Sequence, residues 1–413
     1  MTQIYLVPGF MGFQSFGEVT YFRRVPEMLV RRLGELGHHN VEVHECPTLP
    51  SGSIARRAQR ALQFMEARGG EQAESIHVVG HSTGGLDARL VAAPGVRLVP
   101  GGLEEQIGRR IRSVVTVSTP HFGTPMANFL LAMPFRRVLA WIGLLGNTER
   151  GRTSLVALAR ALEMVARADD WMGRSDTFLD TVVNKVLKRI GTDPADPLWE
   201  FLREISSDQG AAIQVTMESM HLFNAAVADR SGTAYSSIIS VAPPPGSFPL
   251  RRADLSSPVR AASVFAFWAL YRMASVVPDQ YPCTALDIET LNLTEHSAHL
   301  QITRTSNDGI VPCQSQAYGK VLDIVSGDHL DVVGQFPGSG GDSHADWLPC
   351  GAGFGEEEFS KLWSRVAREI ADNIPVKRRA ARPASLIEAP APARKAPSAK
   401  NGKSKPKLDS TAN

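Results

Sequence analysis

A short apolar segment that runs directly into a glycine-flanked serine constrains this chain more than any other feature. Residues 75–79, Ser-Ile-His-Val-Val, have the pattern of a buried β-strand, and Gly-His-Ser-Thr-Gly follows at residues 80–84. A helical pattern begins at residue 86. Small residues at such a junction let a strand turn sharply into a helix, with the serine hydroxyl held out at the bend. The segment predicts a nucleophile elbow at Ser82; the alternative is an ordinary glycine-rich turn.

Strand patterns alternate with helical patterns along much of the chain. Strands are predicted within residues 2–13 and at 41–44, 76–79, 111–117, 235–241, 300–304 and 320–325, and helices at 25–36, 53–66 and 356–373. Such alternation indicates βαβ units and a parallel sheet. In parallel sheets of this kind, ligands bind at the carboxyl ends of the strands. The sequence therefore predicts a single α/β core with its site at that edge.

Three motifs that follow one another along the chain carry a specific resemblance to a known family. They are Leu-Val-Pro-Gly-Phe-Met-Gly-Phe at 6–13, Gly-His-Ser-Thr-Gly-Gly at 80–85, and Ser-Thr-Pro-His-Phe-Gly-Thr-Pro at 118–125. Together they resemble the α/β-hydrolase fold as it occurs in bacterial triacylglycerol lipases. The resemblance implies a mostly parallel central sheet with helices on both faces and a helical cap insertion. It also implies a serine carboxylic-ester hydrolase, lipase-like or esterase-like, that cleaves an apolar acyl ester.

The domain organisation follows from where the sheet pattern stops and resumes. Residues 1–125 form the first part of the core, 126–224 a helical cap, and 225–375 the second part of the core with a helical segment inserted near 243–298. The cap begins with an apolar run at 126–145, which fits either a lipid interface or acyl pocket, or an ordinary pair of buried helices. Residues 376–413 are rich in Ala, Pro and Lys and predict a disordered tail.

A serine hydroxyl needs a general base to activate it and an acid to orient that base. Hydrolases of this fold have the chain order serine, acid, histidine. Asp308 and His329 satisfy that order, each just after a predicted strand, and the segments around them resemble the acid and histidine segments of the lipases. The triad is therefore predicted as Ser82, Asp308 and His329. An ordinary Asn-Asp-Gly turn is the alternative for Asp308, and His344 is the rival to His329.

The oxyanion of an acyl-transfer reaction must meet prearranged N–H donors. The resemblance implies the backbone amide of Thr83 as one donor and that of Phe10 as the other, with Met11 as the alternative to Phe10. Where these lipases usually have His-Gly, this chain has Pro8-Gly9. The departure leaves the choice between Phe10 and Met11 open.

No cofactor is required for this chemistry, but the resemblance implies that a structural calcium ion could lie beside the catalytic histidine. Asp331 and Gln335 occupy the positions two and six residues after His329, and Asp287 is a candidate third ligand. Calcium takes six or more oxygen ligands, so further oxygens would be needed. The alternative is that Asp331 and Gln335 are ordinary surface polar residues.

The charge of the chain is unevenly distributed. Residues 377–413 contain 10 of the 44 Lys and Arg residues and 2 of the 42 acids, so this tail carries +8 and the rest of the chain −6. A basic tail favours an anionic partner, such as nucleic acid, a membrane surface or an acidic protein, or acts as a solubilising extension. No secretion signal or transmembrane segment is recognised, and the four cysteines form no framework, so we expect a cytoplasmic protein, with peripheral membrane or lipid-body contact as an alternative.

Two alternatives to the predicted hydrolase stay open. An acyl-enzyme can be resolved by an alcohol instead of water, which would make the protein an acyltransferase, and the ester could also be an intracellular polyester or phospholipid. A protein of another class, a catalytically silent scaffold that binds partners through its cap and tail, would need no reactive serine.

Overall fold

The computed structural model describes residues 1–10, 15–16, 19–132, 210–246, 258–279, 290–291, 301–336 and 348–375. All of them belong to one unit that spans Met1–Pro375. The predictions that concern Met11, Asp287, His344, the tail and most of the cap lie outside the described residues. Among the residues that are described, no helix combines the length and apolar character needed to cross a membrane.

The first half of the core contains β1 (Thr2–Val7), β2 (Ser15–Phe16), β3 (Val19–Thr20), α1 (Val25–Glu35), β4 (Val41–Glu45), α2 (Ile54–Ala67), β5 (Ser75–His81), α3 (Thr83–Ala92), α4 (Leu103–Gly108) and β6 (Ile111–Val117). The later elements are α5 (Pro125–Ala132), α6 (Gly210–Gln214), α7 (Met217–Ala226), β7 (Ala234–Val241), α8 (Pro258–Ala274), α9 (Cys313–Gln316), β8 (Lys320–Ser326) and α10 (Glu356–Asp372). A 3₁₀ turn, Asp331–Val333, follows β8.

The central sheet has six strands in the order β4, β1, β5, β6, β7, β8. All of its neighbouring strands pair in parallel. The chain moves outward from β1 to β4 and then returns to place β5 on the other side of β1, so the strand order reverses between β1 and β5. A crevice opens at the carboxyl ends of the strands at such a reversal. The loops after β1 and β5 therefore border the expected site.

Alternate residues of the central strands enter opposite layers of the core. In β1, Tyr5 and Val7 pack in the layer that contains α2, α3 and α4. Ile4 and Leu6 pack in the layer that contains α1 and α10, where Trp363 is fully buried. Because successive strand side chains point to opposite faces, a strand covered on both sides buries all its side chains, and most of those of β1 are apolar. The predicted arrangement of helices on both faces of the sheet is confirmed.

Several predicted boundaries are confirmed to within a residue or two. Strand β6 has the predicted limits, and α2 begins after Ser53, whose hydroxyl accepts the Arg56 amide proton at 3.5 Å. Helix α1 ends before Gly37, which has a φ of 88°. Such a left-handed residue just after a helix is usually glycine because a Cβ there would be strained.

The predicted strand at residues 300–304 is wrong, because residues 301–304 are irregular and β8 pairs directly with β7. Residues 306–312 instead form a turn that is attached to the end of β7 by a hydrogen bond from the Ala242 amide to the Asn307 carbonyl at 2.9 Å. The strand order, the two helical layers and the site loops after β1, β5 and β8 confirm the predicted α/β-hydrolase fold.

Candidate active site

Ser82 lies at the junction of β5 and α3 in a strained backbone conformation. Its φ is 54° and its ψ is −132°, values that few residues other than glycine adopt. Its amide donates to the Val117 carbonyl at 2.9 Å, which anchors the bend to β6. The side chain does not cap its own helix, so the hydroxyl is left for another partner. The elbow predicted from the sequence is confirmed as a backbone geometry.

The glycines of the elbow are required by close backbone contacts. A Cβ on Gly80 would collide with the backbone of Gly84 and Gly85. A Cβ on Gly84 would collide with the carbonyls of Val7 and Pro8, which follow on the neighbouring strand. These glycines therefore allow the backbone of α3 to pass in close contact with the ends of β1 and β5.

Asp308 and His329 form a hydrogen-bonded pair at the carboxyl edge of the sheet. The His329 Nδ1 atom lies 2.7 Å from the Asp308 Oδ2 atom, and both residues are buried. Because a carboxylate accepts, His329 donates through Nδ1, and in the neutral ring Nε2 is then the acceptor. Asp308 lies on an Asn-Asp-Gly turn, in which Gly309 has a φ of 95°. The turn that was the alternative interpretation of this segment is therefore compatible with Asp308 as the predicted acid.

Four further donors surround the Asp308 carboxylate. Its Oδ1 atom accepts the backbone amide protons of Ile310 at 2.9 Å and Val311 at 2.8 Å. Its Oδ2 atom accepts from the Ser240 hydroxyl at 2.8 Å and the Gln316 amide at 3.2 Å. These donors fix the orientation of the Asp308 side chain and so of the oxygen that faces His329.

A second hydroxyl extends this network to β6. The Ser118 Oγ atom lies 2.6 Å from the Ser240 Oγ atom. Because Ser240 donates to Asp308, Ser118 must donate to Ser240. Ser118 has a φ of 52°, so its backbone, like that of Ser82, is in the left-handed region.

The loop after β1 packs directly on the nucleophile position. A Cβ on Gly9 would lie 2.5 Å from the Ser82 Cβ atom, so only glycine fits there. The Gly9 amide donates to the Tyr21 hydroxyl at 2.9 Å, so it already has a hydrogen-bond partner. The following residue, Phe10, carries the next amide of the loop. Thr83 opens α3, and the first amides of a helix have no partner within it.

A buried arginine anchors the loop that follows β1. The Arg57 guanidinium donates to the carbonyls of Pro8 at 2.6 Å and Gly9 at 3.2 Å, and also to the carbonyl of Leu49. It pairs with Asp87 of α3, from Nε to Oδ2 at 2.9 Å, and both side chains are fully buried. Burial raises the pKa of Asp87 to about 7, against the opposing effect of Arg57. One guanidinium thus links the loop after β1 to the helix that begins at the elbow.

The structure joins the elbow to the acid–histidine pair through the residue before Ser82. The His81 Nε2 atom lies 2.8 Å from the His329 carbonyl oxygen, and the two imidazole rings are 4.7 Å apart, centroid to centroid. The three predicted triad residues therefore lie on loops that are in contact at one edge of the sheet. His344 lies outside the described residues, so its rivalry with His329 stays open.

The calcium prediction concerns the turn after His329. Asp331 lies there with Asp328 and Cys350, and their ligand atoms are within 4.8 Å of one another. A thiol is not a calcium ligand. The Gln335 amide nitrogen donates to the carbonyls of Thr20 at 2.9 Å and Tyr21 at 3.2 Å, which does not exclude its amide oxygen as a ligand. The two carboxylates of the cluster supply fewer than the six or more oxygens that calcium takes, and Asp287 lies outside the described residues. Calcium binding stays a prediction, and no step below depends on a metal.

Several residues of the site were not predicted from the sequence. Ser118 and Ser240 carried a usable signal, because each is a polar residue at the carboxyl end of a predicted strand, where the sites of parallel sheets form. Tyr21, Arg57 and Gln316 carried none, since nothing in their own segments indicates which loop they contact. His81 is part of the predicted elbow motif, but its contact with His329 was not predicted.

No protein-family model matches the sequence, and neither does any curated protein. Among solved structures, the chain is similar to a lipase from Staphylococcus hyicus at 16% identity and a TM-score of 0.47, over 90% of this chain and 95% of that one. It is similar to lipase 1 from Pelosinus fermentans at 15% identity and a TM-score of 0.48, over 89% of this chain and 98% of that one. It is also similar to EstA from Clostridium botulinum at 18% identity and a TM-score of 0.46, over 88% of this chain and 87% of that one. At these identities and TM-scores, the fold assignment rests on the strand order and the elbow geometry.

Proposed function

We propose that the protein is a serine carboxylic-ester hydrolase with Ser82 as nucleophile, His329 as general base and Asp308 as the acid that orients it. One observation carries the proposal: a buried Asp308–His329 pair, joined at 2.7 Å, adjoins a serine whose backbone is strained at a strand–helix elbow. Strain of this kind costs free energy and persists where function uses it. The same residues would have no reason to converge in a scaffold that only binds partners.

In the first step, the Ser82 oxygen attacks the acyl carbon of the ester and forms a new C–O bond. The serine proton passes to Nε2 of His329, while Nδ1 keeps its bond to Asp308. The carbonyl π electrons move to the carbonyl oxygen, which becomes an oxyanion. When the tetrahedral intermediate collapses, the bond to the alcohol oxygen breaks, and His329 returns its proton to that oxygen.

The oxyanion would be bound by the amides of Thr83 and Phe10. Thr83 lies at the positive end of α3, which favours negative charge. Phe10 follows Gly9, whose contact with Ser82 brings the loop close to the reacting atom. His329 then takes a proton from a water molecule, whose oxygen attacks the acyl carbon. The bond from that carbon to the Ser82 oxygen breaks, His329 returns the proton to the Ser82 oxygen, and the acid is released. An alcohol in place of water would give the acyltransferase that the sequence leaves open.

Exposed apolar side chains in the predicted cap and in the inserted segment near 243–298 support an apolar acyl group as substrate. Leu222 on α7 is 74% exposed, and Phe265 on α8 is 52% exposed. Phe129 on α5 and Ile213 on α6 are exposed as well. Exposed apolar side chains on neighbouring helices are typical of surfaces that meet a ligand or a lipid.

A fluorophosphonate probe tests the proposal directly, since it reacts with activated serines. We expect the full chain to be labelled at Ser82 and the Ser82→Ala variant not to be labelled. Ser364→Ala, which removes a hydroxyl from α10, is the matched control and should label like the wild type. An unlabelled wild type, or equal labelling of Ser82→Ala, would contradict the proposal and favour the scaffold alternative.

A chain-length series of p-nitrophenyl esters addresses the substrate. We expect kcat/KM to rise with acyl length and Ser82→Ala to lose activity by about 10³-fold or more. Product analysis in the presence of an added alcohol separates hydrolysis from acyl transfer, because only a transferase forms mainly the new ester.

A further inference from the structure

The hydroxyl of Tyr21 bridges the loop after β1 and the elbow. It accepts the Gly9 amide proton at 2.9 Å and lies 2.6 Å from the Nδ1 atom of His81. On its other side, His81 contacts the His329 carbonyl at 2.8 Å. A continuous chain of hydrogen bonds therefore runs from the loop after β1, which contains Gly9 and Phe10 and is called the oxyanion loop below, through the elbow to the residue proposed as general base.

The direction of each hydrogen bond in this chain is determined by its ends. A carbonyl oxygen only accepts, so His81 donates to His329 through Nε2. A neutral imidazole then has its acceptor at Nδ1, and Tyr21 must donate to it. Burial holds the pKa of His81 well below its usual range, which keeps the ring neutral. The chain therefore has one arrangement of protons, in which Tyr21 and His81 each accept one hydrogen bond and donate one.

Residues 20–23, the segment that contains Tyr21, are hydrogen-bonded to the turn that follows His329. The Arg23 amide donates to the Val333 carbonyl at 3.0 Å, and Gln335 donates to the carbonyls of Thr20 and Tyr21. Together with the links through His81, these contacts close a ring. Its members are the oxyanion loop, the Tyr21 segment, the elbow and the loop of His329.

The sheet itself cannot set the distance between the elbow and His329. Strands β6 and β7 separate β5 from β8, so the two strand ends are about 14 Å apart at the usual spacing. The loop after β8 must fold back across the edge of the sheet to reach the elbow. A contact between the loops has to hold it there.

We propose that Tyr21 and His81 are positioning residues that set the separation between the oxyanion donors and His329. The inference rests on the proposed function, since it assigns these loops to one reaction. Neither side chain touches the reacting atoms; Tyr21 acts through the Gly9 amide and His81 acts through the His329 carbonyl. An error of about 1 Å in such a placement can cost 100-fold in rate.

The test is Tyr21→Phe in the full chain, which removes the hydroxyl and keeps the ring. With a p-nitrophenyl ester, we expect kcat to fall about 10- to 100-fold and KM to change by less than about 3-fold. The rate of fluorophosphonate labelling should fall with kcat. Tyr5→Phe is the matched control, because it removes a buried hydroxyl that donates to Gln3 at 2.9 Å within β1. It should leave kcat unchanged.

A pair of variants at His81 provides an independent arm. Gln carries an amide N–H that can reach the His329 carbonyl, whereas Leu carries no donor. We expect His81→Gln to retain several-fold more kcat than His81→Leu, at a temperature where circular dichroism shows both to be folded. A difference of this kind reports the hydrogen bond and not the volume of the side chain.

Wild-type kcat in Tyr21→Phe, or equal kcat in His81→Gln and His81→Leu, would overturn the inference. A rise in KM at constant kcat would also overturn it, because that result indicates substrate contact. The proposed function fails differently, through a wild type that fluorophosphonate does not label. In that case both conclusions fall.

Discussion

Asp308 and His329 are joined twice. The imidazole Nδ1 of His329 lies 2.7 Å from the Asp308 carboxylate, and the His329 amide donates to the Asp308 carbonyl at 2.9 Å. The side-chain bond sets the orientation of the ring, and the backbone bond sets the distance between the two loops. Two constraints of this kind reduce the freedom that the histidine would otherwise lose on reaching the transition state.

The variant Asp308→Asn tests the orientation of the ring. One carboxylate oxygen accepts from His329, Ser240 and Gln316, and the other from two backbone amides, so an amide group in either orientation faces donors. We expect kcat to fall by about 10³- to 10⁴-fold. Asp323→Asn, which removes a carboxylate of β8 paired with Arg365, should retain wild-type kcat. Activity above a tenth of wild type in Asp308→Asn would contradict the assigned role.

The identity of the base is tested by His329→Ala against His344→Ala. The first variant removes the partner of Asp308, and we expect it to lose esterase activity by about 10³-fold or more. The second should keep activity within a few-fold of wild type. The opposite pattern, measured with the same p-nitrophenyl ester, would transfer the role of base to His344.

The variant Gly9→Ala tests the closeness of the oxyanion loop. Its Cβ would lie 2.5 Å from the Ser82 Cβ and 2.9 Å from the Tyr21 hydroxyl, so the loop must move. We expect kcat to fall by about 10²- to 10³-fold, as when one oxyanion donor is lost. Gly34→Ala in α1, where the nearest atom is 3.6 Å away, is the control and should keep full activity. An active Gly9→Ala would show that this loop does not supply a donor.

Removal of Arg57 should cost stability as well as activity. In Arg57→Met, Asp87 loses its counter-charge, and the carbonyls of Pro8 and Gly9 lose their donor. We expect the free energy of unfolding to fall by about 3–5 kcal/mol in urea titrations. Arg56→Met, on the exposed face of the same helix, should change it by less than about 1 kcal/mol. A similar small loss in both variants would show that the buried pair does not hold the loop.

The buried His77 should make the fold sensitive to acid. Burial lowers its pKa to about 3, from an ordinary value of 6.5. The unfolded chain therefore binds the proton more readily, and stability present above pH 6.5 is lost progressively as the pH falls toward 3. At pH 5 the loss from this residue is about 2 kcal/mol. In His77→Asn, the drop in unfolding free energy between pH 7 and pH 5 should be smaller by that amount; an unchanged drop would assign the acid sensitivity elsewhere.

Local patterns were sufficient to predict most of the sheet and the elbow. The strand at residues 111–117 is recognisable as a short run rich in β-branched residues, and the helix at 356–372 by its periodic set of buried apolar residues. The strand expected at 300–304 was wrong because alternation of apolar and polar residues also occurs in irregular segments. There, the tertiary contact between Asn307 and the end of β7 decides the path of the chain.

What the sequence by itself determined is the strained turn at Ser82, its glycines, and the order in which acid and histidine follow. These depend on neighbouring residues and on the small set of connections that parallel sheets allow. Only the tertiary structure decided that Tyr21 lies against His81, 60 residues away, and that His81 reaches His329 across 248 residues. A hydrogen bond depends on where two atoms lie in space. The spacing of residues along the chain does not show which loops come into contact at the edge of the sheet.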